Sequence, residues 1–200
     1  MTEPRKPRRP SYRESTVLEA LADRLDPIAQ VEAAHETAAA LLHIGHAEAD
    51  PEVTRRLIEL VDEMGFVVLA DLWATRPARS LPGALWKLYL LREWVVSDPE
   101  GIARDYAEGS RLAEPHHVVA GVDWPQPHEI RQVADEILRG AFTGDFAVAL
   151  ERAAAFCHVV SAGRHDRAGA APAPLAGDQL LTFISDLVAC AALWRAGKLD

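Results

Sequence analysis

The chain has 200 residues, 49% of them hydrophobic and 26% charged, with a formal net charge of −9 at pH 7. A chain of this length buries roughly 70% of the surface that its unfolded form exposes, so a core can form without disulfides or metal ions. The composition is that of an ordinary globular protein, neither disordered nor membrane-like, and two cysteines do not suggest a disulfide framework. No apolar run approaches the ~18 residues that a membrane span needs.

The first 13 residues differ from the rest of the chain in charge. They contain five basic residues against one acidic residue, and three prolines interrupt them. This pattern predicts a disordered basic tail before a helical domain over 14–200. One hypothesis is therefore contact with nucleic acid through Arg5, Lys6, Arg8 and Arg9, although the acidic remainder of the chain argues against a large footprint.

Asp-Pro dipeptides predict three helix starts, at Asp26-Pro27, Asp50-Pro51 and Asp98-Pro99. Asp is a preferred N-cap, and proline suits the first helical position. Together with apolar periodicity and further cap signals, these starts give a set of predicted helices. The set covers residues 14–24, 27–48, 51–75, 81–97, 99–108, 127–139, 145–162 and 175–196.

These elements predict an all-α fold, a single-domain orthogonal or irregular bundle of about seven to eight helices. Gly65 is a candidate kink inside the segment 51–75. Two segments fall outside the helices: a long loop at 109–127, and an Ala/Pro/Gly-rich linker at 164–177 before the last helix.

The predicted helix 27–48 carries a candidate metal site. At about 100° per residue, Glu32, His35, His43 and His46 share one face, with Leu41 opposite. The Glu32/His35 spacing is typical of carboxylate-bridged metal sites in helical bundles. One alternative is therefore a small metal-dependent enzyme that binds a divalent metal ion with this face. The long loop would add His116 and His117. Because no other helix offers a matching pair, we expect a solvated face and no cofactor.

The segment 81–97 is apolar on all sides, since Lys87, Arg92 and Glu93 point in three different directions. Such a helix lies at the centre of a protein or at an interface. We expect it at the centre, with Arg92 or Arg76 as the partner of Asp71 on the preceding helix. The interface alternative depends on residue types that are frequent in binding hot spots. The candidate interaction residues are Trp73, Trp86, Tyr89, Arg92 and Trp94.

The last helix and the two cysteines are predicted core elements. Apolar spacing directs Phe183, Leu187 and Val188 inward and Asp186 outward. Cys157 and Cys190 lie in apolar helical contexts, which is typical of small buried hydrophobes in the reducing cytoplasm.

The sequence contains no phosphate loop, nucleophile elbow, paired-cysteine metal knuckle or dinucleotide fingerprint. It therefore favours a non-enzymatic, cytoplasmic helical protein that acts through protein–protein contacts, as a homodimer or as a regulator of another macromolecule. No membrane association is expected. The metal-dependent enzyme and the nucleic-acid tail remain alternatives.

Overall fold

The computed structural model describes residues 26–47, 50–112, 126–166 and 178–199. Within these ranges the chain forms nine α-helices and no strand, which confirms the predicted all-α bundle. The helices in chain order are α1 (Pro27–Ala47), α2 (Pro51–Ile58), α3 (Leu60–Met64), α4 (Phe66–Trp73), α5 (Leu81–Ser97), α6 (Pro99–Ser110), α7 (Pro127–Thr143), α8 (Phe146–Asp166) and α9 (Asp178–Arg195).

Several predictions fall outside the described residues and stay predictions. They concern the basic tail with Arg5, Lys6, Arg8 and Arg9, the helix 14–24, most of the long loop, and residues 167–177 of the linker. Three predicted helix ends are wrong. Helix α7 continues to Thr143 instead of ending at residue 139. Helix α6 continues to Ser110, and helix α8 continues to Asp166, so that the loop and the linker each begin later than expected.

The predicted helix starts have the expected caps. The Asp50 carboxylate accepts a hydrogen bond from the Glu52 backbone N–H at 2.8 Å, and the Asp98 carboxylate accepts one from Gly101 N–H at 2.9 Å. At the start of α5, the Ser80 hydroxyl accepts from the Gly83 N–H at 3.2 Å. Each cap satisfies a backbone donor that has no partner within its helix.

The segment 51–75 is not one helix, as predicted, but three short ones. A first break lies at Glu59, and Gly65 ends α3 with a φ of 86°, in the left-handed region that favours glycine. The Gly65 N–H still donates to the Val61 carbonyl oxygen at 2.8 Å, and α4 begins at the next residue. The chain therefore changes direction here instead of bending gently.

Helix α5 lies at the centre of the fold, as expected from its apolar circumference. It packs against α1, α4, α7 and α9, and its side chains Leu85, Leu88, Tyr89 and Val95 are buried. Burial over most of its circumference explains why its sequence shows no continuous polar face, although Trp86, Leu90 and Glu93 along one side are only half-buried.

Helix α8 forms the second centre of packing, against α6, α7 and α9. It crosses α6 where Gly109 and Gly163 meet backbone to backbone. A Cβ atom on Gly109 would overlap the Val159 carbonyl oxygen, and one on Gly163 would overlap the Asp105 carbonyl oxygen. The crossing therefore requires glycine on both helices.

Helix α8 is also the one helix in the described part of the chain that is long and apolar enough to cross a membrane, over Phe146–His165. Most of this stretch is buried inside the protein. The core helix of a folded domain has the same length and composition, so this feature follows from packing against α6 and α9.

We expect Gly163→Ala to lower the free energy of unfolding by at least about 3 kcal/mol, because the added methyl group forces α6 and α8 apart. Gly140→Ala is the matched control, since the nearest atom to its new methyl group lies 3.8 Å away. That variant should gain about 0.5 to 1 kcal/mol from higher helix propensity. Urea unfolding measures both values, and equal effects would contradict the close crossing.

Candidate functional site

Three of the predicted interaction residues belong to the core. Trp73, Tyr89 and Trp94 are buried, and the first two make hydrogen bonds inside the protein. The Trp73 indole N–H donates to the Ala34 carbonyl oxygen at 3.3 Å, and the Tyr89 hydroxyl donates to the Leu57 carbonyl oxygen at 2.5 Å. These aromatic side chains are not accessible to a partner, so the interface interpretation is wrong for them.

Arg92 is also unavailable to a partner, because its guanidinium is buried between two carboxylates. It donates to Asp135 at 2.7 Å and to Asp62 at 3.1 Å. Burial alone would lower the pKa of Arg92, but the hydrogen bonds and charges of these carboxylates outweigh it and raise this pKa. The expected pairing of Arg92 with Asp71 is wrong, since Asp135 and Asp62 are the carboxylates that Arg92 contacts. Arg92 instead ties α5 to α3 and α7.

Trp86 is the predicted interaction residue that reaches the surface. It is partly buried, and its ring centroid lies 5.0 Å from that of Phe66. In the same segment as Phe66, the residues Met64, Val67 and Val68 are 51%, 70% and 50% exposed. We call these five residues the α4 surface. Of these five residues only Trp86 was among the predicted interaction residues, because that prediction depended on residue types frequent in hot spots, and valine is not one of them.

Carboxylates border the α4 surface. Asp62 and Glu63 precede Met64 on α3, and Asp71 lies one helical turn after Val67. All three are exposed. The Asp62 carboxylate also contacts Arg92, and Glu63 lies 3.6 Å from Arg56. The surface is therefore an apolar patch with an acidic margin.

The histidine face of α1 does not form a metal site among the residues that the structure describes. Glu32 and His43 are exposed and His35 is half-buried. The described ranges contain no group of three or more His, Cys, Asp or Glu side chains that could hold a metal ion. The loop residues His116 and His117 lie outside these ranges.

His46 has a structural partner at each ring nitrogen. Nδ1 lies 2.7 Å from the Leu42 carbonyl oxygen, and Nε2 lies 2.9 Å from the Gly144 carbonyl oxygen. The second contact joins the end of α1 to the turn between α7 and α8. Both nitrogens are thus occupied, and His46 cannot serve as the metal ligand proposed from the sequence.

A cavity of about 510 Å³ opens beside His46, between the end of α1, the start of α2 and the end of α7. The helices converge here because Gly45 packs on Phe142. A Cβ atom at Gly45 would lie 2.7 Å from the Phe142 Cβ, which is closer than two nonbonded carbon atoms approach each other. We call this space the α1–α7 cavity.

The polar lining of the α1–α7 cavity consists of hydroxyl groups and basic side chains. The side chains are those of His46, Thr54, Arg55, Arg139 and Thr143. None of the described lining residues is acidic. This composition is unexpected in a protein with 30 acidic and 21 basic residues. No sequence motif indicates this lining, since it combines residues 45–55 with Arg139 and Thr143.

Neither cysteine offers a nucleophile. Cys157 and Cys190 are free and buried, and burial raises the pKa of both thiols, that of Cys190 to about 11. The Cys190 thiol contacts the Ala78 carbonyl oxygen at 3.5 Å. Because the thiolate is the reactive form, both residues act as small core hydrophobes. The reducing cytoplasm stays a prediction.

We expect a thiol reagent such as DTNB to label the native protein at pH 8 far more slowly than the urea-unfolded chain. With a pKa of about 11, on the order of 0.1% of Cys190 is thiolate at this pH. Because folding raises these thiol pKa values, their contribution to stability is complete below about pH 8.5 and declines as the pH rises toward 11. Ala192→Cys, at an exposed α9 position, is the labelling control. Equal labelling rates for the Ala192→Cys variant and the native protein would contradict the burial of Cys157 and Cys190.

Comparison with known proteins gives no template for either the α4 surface or the α1–α7 cavity. No family model matches the chain, and no curated protein and no solved structure matches it at a significant level. Functional inference therefore depends on the chemistry of the described residues.

Proposed function

We propose that the protein is a non-enzymatic helical interaction protein that binds a protein partner through the α4 surface. The observation that carries this proposal is the exposure of Met64, Val67 and Val68 next to the Phe66–Trp86 pair. Single exposed apolar residues are ordinary, but several contiguous ones with an aromatic neighbour are typical of binding surfaces.

Burial of this surface supplies the driving force for binding. Each 100 Å² of apolar surface removed from water contributes about 2.5 kcal/mol before the costs of association are subtracted. Val67 and Val68 are β-branched and lose little side-chain entropy when a partner covers them. The partly exposed Trp86 ring adds the residue type that most often anchors an interface.

The acidic margin indicates what kind of partner fits. Asp71, which has no basic partner among the described residues, would attract a lysine or arginine side chain beside the apolar contact, whereas Asp62 and Glu63 are already paired with Arg92 and Arg56. An amphipathic helix with a basic polar face has this chemistry, and helix-in-groove recognition is a common mode. Two copies of the α4 surface, in contrast, would bring these carboxylates against one another. A basic partner is therefore favoured over a symmetric homodimer.

The test uses two synthetic helical peptides that share a leucine face and differ in having lysine or glutamate on the polar face. We expect the full-length chain to bind the lysine peptide and not the glutamate peptide, measured by fluorescence anisotropy. Val68→Lys should weaken this binding at least about tenfold, since it places a charge in the apolar contact and repels the peptide.

Val188→Lys is the matched control for nonspecific attraction to an acidic protein. Val188 on α9 is 51% exposed, nearly the same as Val68, and the two substitutions change the net charge equally. Equal losses in the two variants, or a monomeric chain that binds neither peptide, would overturn the proposal. A dimer seen by sedimentation that Val68→Lys alone dissociates would replace the outside partner with a second copy of the chain.

A further inference from the structure

The α1–α7 cavity is a second candidate site, lined by none of the residues of the α4 surface and unlike it in chemistry. Its volume of about 510 Å³ lies in the range of small-molecule sites, roughly 300 to 1,000 Å³. Gly45, Pro51 and the threonine methyl groups supply apolar wall, and the remaining lining is basic or hydroxylic. This combination suits a small ligand with an apolar part and a negative group.

Arg139 is the strongest candidate to bind that negative group. Its guanidinium is exposed at the cavity and makes no hydrogen bond or ion pair with another side chain of the described ranges. Arg55 contributes less, because Glu52 holds it at 2.6 Å and Glu59 contacts it as well. A guanidinium without a carboxylate partner can use its N–H donors to bind a ligand.

His46 joins the elements that border the cavity. Its ring nitrogens lie 2.7 Å from the Leu42 carbonyl oxygen and 2.9 Å from the Gly144 carbonyl oxygen. The ring therefore connects the end of α1 to the turn after α7, so that Gly45 and Arg139 are held on facing parts of the lining.

From these contacts we infer that the α1–α7 cavity binds a small molecule that carries a phosphate or carboxylate group beside an apolar ring or chain. Arg139 binds the anionic group, and the Thr54 and Thr143 hydroxyls lie in the same lining. Among the described lining residues no carboxylate opposes such a ligand. This inference goes beyond the proposed protein interaction and does not depend on it.

Phenyl phosphate is the probe, because it joins a dianionic group to an apolar ring. Isothermal titration calorimetry of the full chain should show one binding event for phenyl phosphate. Inorganic phosphate should bind more weakly, because it does not cover the apolar part of the cavity wall. Benzylamine, which has an apolar ring but a positive charge, should not bind. Benzoate in a parallel titration shows whether the site prefers the carboxylate or the phosphate.

Arg139→Gln should weaken the binding of phenyl phosphate at least tenfold while the unfolding temperature stays unchanged, because this side chain has no described partner to lose. Arg131→Gln is the matched control: it lies exposed on the same helix and removes the same charge. Equal losses in the two variants would reduce the effect to overall charge and overturn the site. No binding of either anion, or equal binding of benzylamine, would overturn it as well.

Discussion

An apolar helix that carries two cations can be buried only if other helices bring carboxylates to it, and α5 is such a helix. The Lys87 ammonium lies 3.2 Å from Asp186 of α9, and Arg92 is held by Asp62 of α3 and Asp135 of α7. A buried charge without a partner costs several kcal/mol. The packing of three helices around α5 is therefore coupled to these ion pairs as well as to apolar contact.

This coupling explains which parts of the fold the sequence could predict. Helix starts depend on local chemistry, so Asp50, Asp98 and Ser80 are found as caps where they were expected. The inward face of the last helix depends on its neighbours. Apolar spacing directed Val188 inward and Asp186 outward, yet Asp186 is buried against Lys87 and Val188 is exposed. Apolar periodicity depends only on the polarity of each residue in the helix, so it cannot detect an ion pair with a residue far away in the sequence.

The candidate sites were harder to predict for two physical reasons. Protein cores and binding interfaces favour the same aromatic residues. The sequence alone therefore could not show whether Trp73, Tyr89 and Trp94 belong to the core or to an interface, and their burial assigns them to the core. The α4 surface follows from the break at Gly65, because one continuous helix would direct Val67 and Val68 differently. The α1–α7 cavity depends on chain segments almost a hundred residues apart.

Each candidate site includes residues of the short helices α2 to α4: Thr54 and Arg55 of α2 line the cavity, and α3 and α4 carry the exposed apolar residues. Helices α2, α3 and α4 have eight, five and eight residues, so each is too short to present a continuous apolar stripe to the core. Their surplus apolar side chains stay at the surface, and the cavity remains at the start of α2. The α6–α8 crossing, in contrast, brings two backbones into direct contact and leaves no room for a ligand. Close packing of α6 against α8 stabilises the fold. Because of this stability, the fold tolerates exposed apolar residues on α3 and α4 and a cavity beside α2, both of which are available for binding.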